Sequence, residues 1–153
     1  MVTGFYSLDF AHKHGFSYDI GTAAYTLAQD PVVPNLFLVQ FLGINDHNVA
    51  AGYWQDNTGS QHGLLYDLTT HQYTFMDDPN RAAFNNQTFT QITGINDDGR
   101  IAGFFVDGNG IQHGFFAEPA TAAPGTCAFG LMGFGIVGIA VIRLRRRRPC
   151  GHR

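Results

Sequence analysis

The sequence predicts an all-β body of repeated four-stranded antiparallel units, a partial β-propeller-like array, followed by one C-terminal transmembrane helix. Three observations carry this. Short sequence blocks recur through residues 1–117 with a period of about fifty. Within each period, apolar, β-branched and aromatic residues gather in short runs bounded by turn formers. No charged residue lies between Glu118 and Arg143, after which arginine dominates.

The repeat is explicit. Gly43-Ile44-Asn45-Asp46 returns as Gly94-Ile95-Asn96-Asp97, and Ala51-Gly52-Tyr53-Trp54 as Ala102-Gly103-Phe104-Phe105, both at an offset of 51. His62-Gly63-Leu64-Leu65-Tyr66 matches His113-Gly114-Phe115-Phe116-Ala117, and His14-Gly15-Phe16-Ser17-Tyr18 precedes the central copy by 48 residues. Gly4-Phe5-Tyr6 is a third Gly-aromatic element. In the central unit strands are expected at 49–55, 62–68, 72–76 and 88–95, four to a period.

Turn formers fill the breaks: Asp56-Asn57-Thr58-Gly59, Thr69-Thr70-His71, Asp77-Asp78-Pro79-Asn80 and Asn96-Asp97-Asp98-Gly99. The last should close a tight hairpin with Gly99 at positive φ. Fourteen phenylalanines and six tyrosines supply the buried area that short strands otherwise lack. A four-stranded unit of this length matches a propeller blade. Two full periods plus fragments do not close a ring, so the body is expected to be the C-terminal part of a longer array. An open stack that dimerises and an irregular sandwich are the alternatives.

Of nine basic residues, six (Arg143, Arg145, Arg146, Arg147, Arg148 and Arg153) lie in the last eleven positions. Residues 1–142 hold three bases against twelve acids, a net of −9. Such a body repels phosphate backbones, which argues against a nucleic-acid partner. Cys127 and Cys150 flank the terminal apolar run, and a helix between them would hold them about 34 Å apart. That separation excludes an intrachain disulfide, and neither cysteine has metal-site spacing.

Three histidines, His14, His62 and His113, invite a zinc site. They stand at one phase of successive units, one in each, so they are expected instead to pin turns through hydrogen bonds. His12 and His14 are expected to share one face of a strand, with no third ligand beside them. Asp97, Asp98, Asp107 and Asn109 flank one strand and raise calcium. The Asp107-Gly108-Asn109-Gly110 stretch begins like an EF-hand loop, but Ile111 stands where the third oxygen ligand belongs and no terminal glutamate follows; turn formation is the better reading. Glu118 is the only glutamate, and no carboxylate pair, nucleophile elbow, phosphate-binding loop, dinucleotide fingerprint or His-Glu-x-x-His is present. No catalytic, cofactor-binding or metal-binding residue is assigned, no cofactor is expected, and nothing marks the chain as an enzyme.

Apolar density peaks over residues 127–142, CAFGLMGFGIVGIAVI. With the small residues upstream, this approaches the roughly twenty residues that span a bilayer. Gly130, Gly133, Gly135 and Gly138 would weaken a water-exposed helix but are common in membrane spans. Arg143, Arg145, Arg146, Arg147 and Arg148 form a stop-transfer cluster that keeps the terminus in the cytoplasm and places the body outside. The expected domains are a β-repeat body at 1–117, a linker at 118–126, a transmembrane helix at 127–142 and a basic cytoplasmic tail at 143–153.

The order Glu118-Pro119-Ala120-Thr121, a spacer, a glycine-rich apolar span and a terminal arginine cluster closely resembles the PEP-CTERM sorting tail of Gram-negative envelope proteins. Glu118 and Pro119 match the Pro-Glu-Pro motif, and Ala117 stands at its first proline. The resemblance implies an exosortase-type membrane protease that cuts near Glu118 and Pro119 and releases or re-anchors the body. The body in turn resembles the HAF-type extracellular repeat in its Gly-Ile-Asn, Gly-Tyr or Gly-Phe, and His-Gly-Phe elements. Together these imply an exported, envelope-associated protein, single-pass or released after processing. Its role would be that of a structural or binding module of the cell surface or matrix, with its polysaccharide or protein ligand unassigned. The rivals are an extracellular polysaccharide hydrolase or lyase on a propeller scaffold, and a non-functional gene fragment.

Overall fold

Turn chemistry divides the described residues into ten strands: β1 (Val2–Tyr6), β2 (His14–Asp19), β3 (Ala24–Leu27), β4 (Leu36–Ile44), β5 (Val49–Asp56), β6 (Gln61–Asp67), β7 (Gln72–Met76), β8 (Thr90–Ile95), β9 (Ile101–Val106) and β10 (Gln112–Ala117). They come from a computed structural model that describes residues 1–9 and 12–119. The expected transmembrane helix at 127–142, the basic cluster of Arg143, Arg145, Arg146, Arg147 and Arg148, and the linker from residue 120 onward lie outside the described residues. The strands form three antiparallel sheets, β1-β2-β3, β4-β5-β6-β7 and β8-β9-β10, each a meander of consecutive strands; only the central sheet has the expected four strands, and among the described residues the outer two have three. Among the described residues there is no helix, hence none long and apolar enough to cross a membrane.

Short side chains close the hairpins. Asn45 Oδ1 accepts from the backbone N–H of His47 and Val49, and Asn96 Oδ1 from that of Arg100, which ties the β4–β5 and β8–β9 turns. Asn48 and Gly99 take the positive-φ place in these turns, at 62° and 74°, so Gly99 stands as its sequence predicts. Asp56 Oδ1 accepts from Thr58 N and Ser60 N, and Asp107 Oδ1 from Asn109 N and Ile111 N, closing β5–β6 and β9–β10. Asp19 and Asp67 hold the β2–β3 and β6–β7 turns in the same manner. A carboxylate or amide one bond from the backbone reaches N–H groups two to four residues ahead, which suits Asp and Asn to these places.

The strands expected at 49–55, 62–68 and 72–76 lie within a residue of β5, β6 and β7. The one expected at 88–95 begins at Thr90: Thr88 O accepts from Gln61 N of β6, and Phe89 stands opposite Gln61 in an isolated bridge while its carbonyl accepts from Val106 N. It also opens the third sheet instead of completing the central one. The tight 96–99 turn pairs it with β9, and the central sheet takes β4 as its own first strand.

Each sheet packs face to face with the next, β4 lying across β1 and β2, and β8 across β5 and β6. One apolar seam gathers Val39, Phe41, Ala50, Leu64 and Tyr66, with Ala28 and Trp54 at its margin. The other gathers Ala51, Ile92, Ile101 and Ala117, flanked by Leu65, Met76 and Phe115. Ala50 and Ala51 are both 0% exposed, one in each seam, because successive residues of β5 face opposite sides and both are covered. Burying a side chain of the size of Leu64 contributes about 2–3 kcal/mol. The β4–β5 and β8–β9 turns also touch directly: Asn45 Nδ2 donates to Asn96 O at 3.1 Å, and Asp46 N to Asp97 Oδ1 at 2.8 Å.

Two glycines are explained by backbone approach. Both β4 and β8 carry a bulge, between Phe41 and Gly43 and between Ile92 and Gly94. Opposite it, a Cβ on Gly52 would lie 1.9 Å from Gln40 O, and one on Gly103 2.1 Å from Gln91 O. Only glycine fits there, which is the physical content of the recurring Ala-Gly-aromatic element.

Candidate functional site

Two places hold the residues singled out by sequence: the end of β10, and the His-Gly positions on β2, β6 and β10. β10 ends at Ala117, buried in the second seam, and Glu118 and Pro119 follow it directly, both exposed. The Pro119 ring lies beside the 96–99 turn, near Gly99. Glu118 Oε1 is 3.5 Å from Arg100 Nε, and Arg100 Nη1 is 3.8 Å from Asp98 Oδ2. All three side chains are more than half exposed, so these pairs contribute little and leave Glu118 free to exchange partners.

The three histidines do not meet; each belongs to a different sheet and pairs with an aspartate. His14 Nδ1 lies 2.9 Å from Asp30 Oδ2, His62 Nδ1 3.0 Å from Asp77 Oδ2, and His113 Nε2 2.8 Å from Asp107 Oδ2. Each imidazole also rests against an aromatic ring at one phase of the sequence: Tyr6 at 5.4 Å, Trp54 at 4.3 Å and Phe105 at 5.1 Å between centroids. The positions fifteen and sixteen residues beyond His113 are Ala128 and Phe129, which carry no carboxylate, and His113 turns to Asp107 instead. Its hydrogen bond is the leading cause that holds the Asp107 carboxyl below its ordinary value, with the Ile111 N–H adding to it. Among the described residues, no group of three or more His, Cys, Asp or Glu could hold a metal ion.

The central pair is the most enclosed. Asp77 Oδ2 also receives Arg81 Nη2 at 2.9 Å, and the Trp54 indole lies nearly parallel to the His62 ring. Trp54 Nε1 and Arg81 Nε are buried without a hydrogen-bond partner. A carboxylate that holds Nδ1 fixes an imidazole's orientation, as in a hydrolytic dyad, but a dyad also needs a nucleophile within reach. No Ser, Thr, Tyr or Cys bonds to His14, His62 or His113 among the described residues. The arrangement clamps the end of β6 to the segment after β7.

No protein-family model, no curated protein and no solved structure matches this chain. Its own geometry therefore has to carry the reading.

His12 departs from expectation. It precedes β2 and is not on the strand with His14; its ring bonds Asp9 in the connecting loop. Asp97 and Asp107, raised as calcium ligands, spend their Oδ1 atoms on the N–H groups of Asp46, Asn109 and Ile111. Sequence reasoning missed the ring beside each histidine and the partners Asp30 and Asp77. The available signal was a carboxylate sixteen residues after His14 and fifteen after His62.

Proposed function

We propose that this chain is an exported, envelope-associated β-repeat module, a partial β-propeller-like array of antiparallel units of three or four strands, processed or anchored through a PEP-CTERM-like tail. Its body serves as a structural or binding module of the cell surface and not as an enzyme. The observation that carries the proposal is the order of the tail. An exposed Glu118-Pro119 pair leaves the last strand, no charge follows until Arg143, and Arg143, Arg145, Arg146, Arg147 and Arg148 then form a block. Dragging each arginine through the bilayer centre costs about 2.5–3.5 kcal/mol on insertion scales, so such a block halts translocation. The array reading is supported by the three meanders, by turn and core positions 51 residues apart that take the same place, and by direct contact between β4 and β8, the opening strands of adjacent sheets.

The test uses the chain fused to an export signal in a Gram-negative host. Protease added to spheroplasts, whose outer membrane has been opened, should reach the body and spare a tag placed after Arg153. In a host with the matching exosortase-type protease, a shortened form should accumulate; replacing Glu118 and Pro119 by alanine should block the shortening without freeing the protein from the membrane. Replacing the arginine block by glutamine should weaken retention. Recovery of the intact chain as a freely soluble extracellular protein, residues 143–153 included, overturns the proposal.

A further inference from the structure

Two sockets of one design are filled in this molecule, and a third is open. At the first seam Phe41 of β4 lies over Gly15 of β2, where a Cβ would come within 2.4 Å of the Phe41 ring. At the second, Ile92 of β8 lies over Gly63 of β6, where a Cβ would stand 3.0 Å from Ile92 Cγ1 and 2.5 Å from Met76 O of the neighbouring β7. Phe41 and Ile92 are 51 residues apart, and each begins the same run: Phe41-Leu42-Gly43-Ile44-Asn45-Asp46 and Ile92-Thr93-Gly94-Ile95-Asn96-Asp97. Gly114 is the corresponding glycine of β10. Among the described residues, a Cβ there would meet only Gly103 O, at 3.9 Å.

Among the described residues, nothing packs on the face around Gly114 either. Register places Gly114 opposite Phe104 and Phe116 opposite Ala102, so these four share the side turned away from the central sheet. Ala102, Gly114 and Phe116 are exposed, whereas Ala51 and Gly63, at the same places in the central sheet, are buried. Polar groups repeat the pattern. Asn45 Nδ2 and Asp46 N donate to Asn96 O and Asp97 Oδ1 of the following sheet. Asn96 Nδ2 and Asp97 N hold the corresponding places in the third sheet and make no hydrogen bond among the described residues.

We infer that the outer face of the third sheet is a docking site for an extended segment of the pattern apolar-x-Gly-Ile-Asn-Asp carried by a separate chain. Its apolar side chain seats over Gly114, its asparagine carbonyl accepts from Asn96 Nδ2, and its aspartate carboxylate accepts from Asp97 N. The warrant is continuity with the two internal seams, which use the same socket, anchor and pair of donors. Both segments of this pattern in the chain are already seated over Gly15 and Gly63, so a folded second copy has none to offer. The inference does not rest on the tail, and its test leaves the tail unaltered.

The probe is a fluorescein-labelled peptide of residues 87–106, the β8–β9 hairpin, titrated against the full chain in detergent micelles and read by anisotropy. Saturable binding is expected, weakened at least about ten-fold by Ile92→Asp in the peptide or by Gly114→Val in the chain. The open space at Gly114 means that the variant should keep its far-UV spectrum and melting temperature; should it fail to fold, Ala102→Arg on the same face serves in its place. Absence of saturation at about 1 mM peptide overturns the inference, as does binding indifferent to both chain variants or to the peptide change. A concentration-dependent dimer abolished by Gly114→Val would assign the face to a second copy and overturn the choice of occupant.

Discussion

Gly52 and Gly114 are the same residue type under opposite constraints. A methyl group on Gly52 would strike the Gln40 carbonyl, a backbone atom that cannot rotate aside, whereas one on Gly114 would point into open space. Gly52→Ala should therefore destabilise the chain by about 3 kcal/mol or more, and Gly114→Ala should shift stability by no more than about 0.5 kcal/mol. Urea unfolding followed through Trp54, the single tryptophan, measures both. Leu64, fully buried in the first seam, should cost about 2–5 kcal/mol on truncation to alanine by the same measurement. The sequence shows these recurring glycines as letters without their reasons, because the reason lies on another strand: the carbonyl of Gln40 for Gly52, the ring of Phe41 for Gly15, and the carbonyl of Met76 with the side chain of Ile92 for Gly63.

Turns were the most legible elements, since an Asx turn is written in consecutive residues. They also carry the pH response. Asp67 is held below its ordinary pKa first by the N–H of Thr70, and Asp19 first by that of Thr22. At Asp56 burial opposes the charge, but hydrogen bonds from Thr58 and Ser60 outweigh it and the pKa still falls. A carboxyl with a depressed folded-state pKa stabilises the fold above its unfolded pKa, near 3.9, and loses that contribution as pH drops through the folded value. The melting temperature should hold from pH 7 to about 5 and fall below pH 4. Asp67→Asn keeps the Oδ1 acceptor while removing the charge, so it should fold at pH 7 with a shallower acid decline; an unchanged acid limb would contradict this assignment. Sheet membership was less legible than strand position. Four strands to a period is visible in the letters, but which four share a sheet depends on the 96–99 turn drawing β8 to β9 and leaving β7 as an edge.

Across the whole molecule, cohesion comes from two seams, and one residue joins a turn to a seam. The Asn45 side chain ties its own hairpin through Oδ1 and reaches the next sheet through Nδ2, whereas the Asn96 side chain ties only its own among the described residues. Asn45→Ala should accordingly cost about 1 kcal/mol more than Asn96→Ala in thermal unfolding. Of the candidate sites, Glu118 and Pro119 could be found from sequence because they form a linear motif. The histidine partners are marked only by a carboxylate fifteen or sixteen residues on, since Asp30 and Asp77 come near once the following strand has turned back. The meander layout has a further consequence, for the order in which the molecule can be made. Every strand pairs with a neighbour in sequence, so a chain emerging N-terminus first can complete each sheet while the next is still being delivered. Only the glycine sockets must wait: Gly15 stays uncovered for 26 residues until Phe41 arrives, and Gly63 for 29 until Ile92 does. Assembly therefore runs as a short relay, each sheet finishing the one before it.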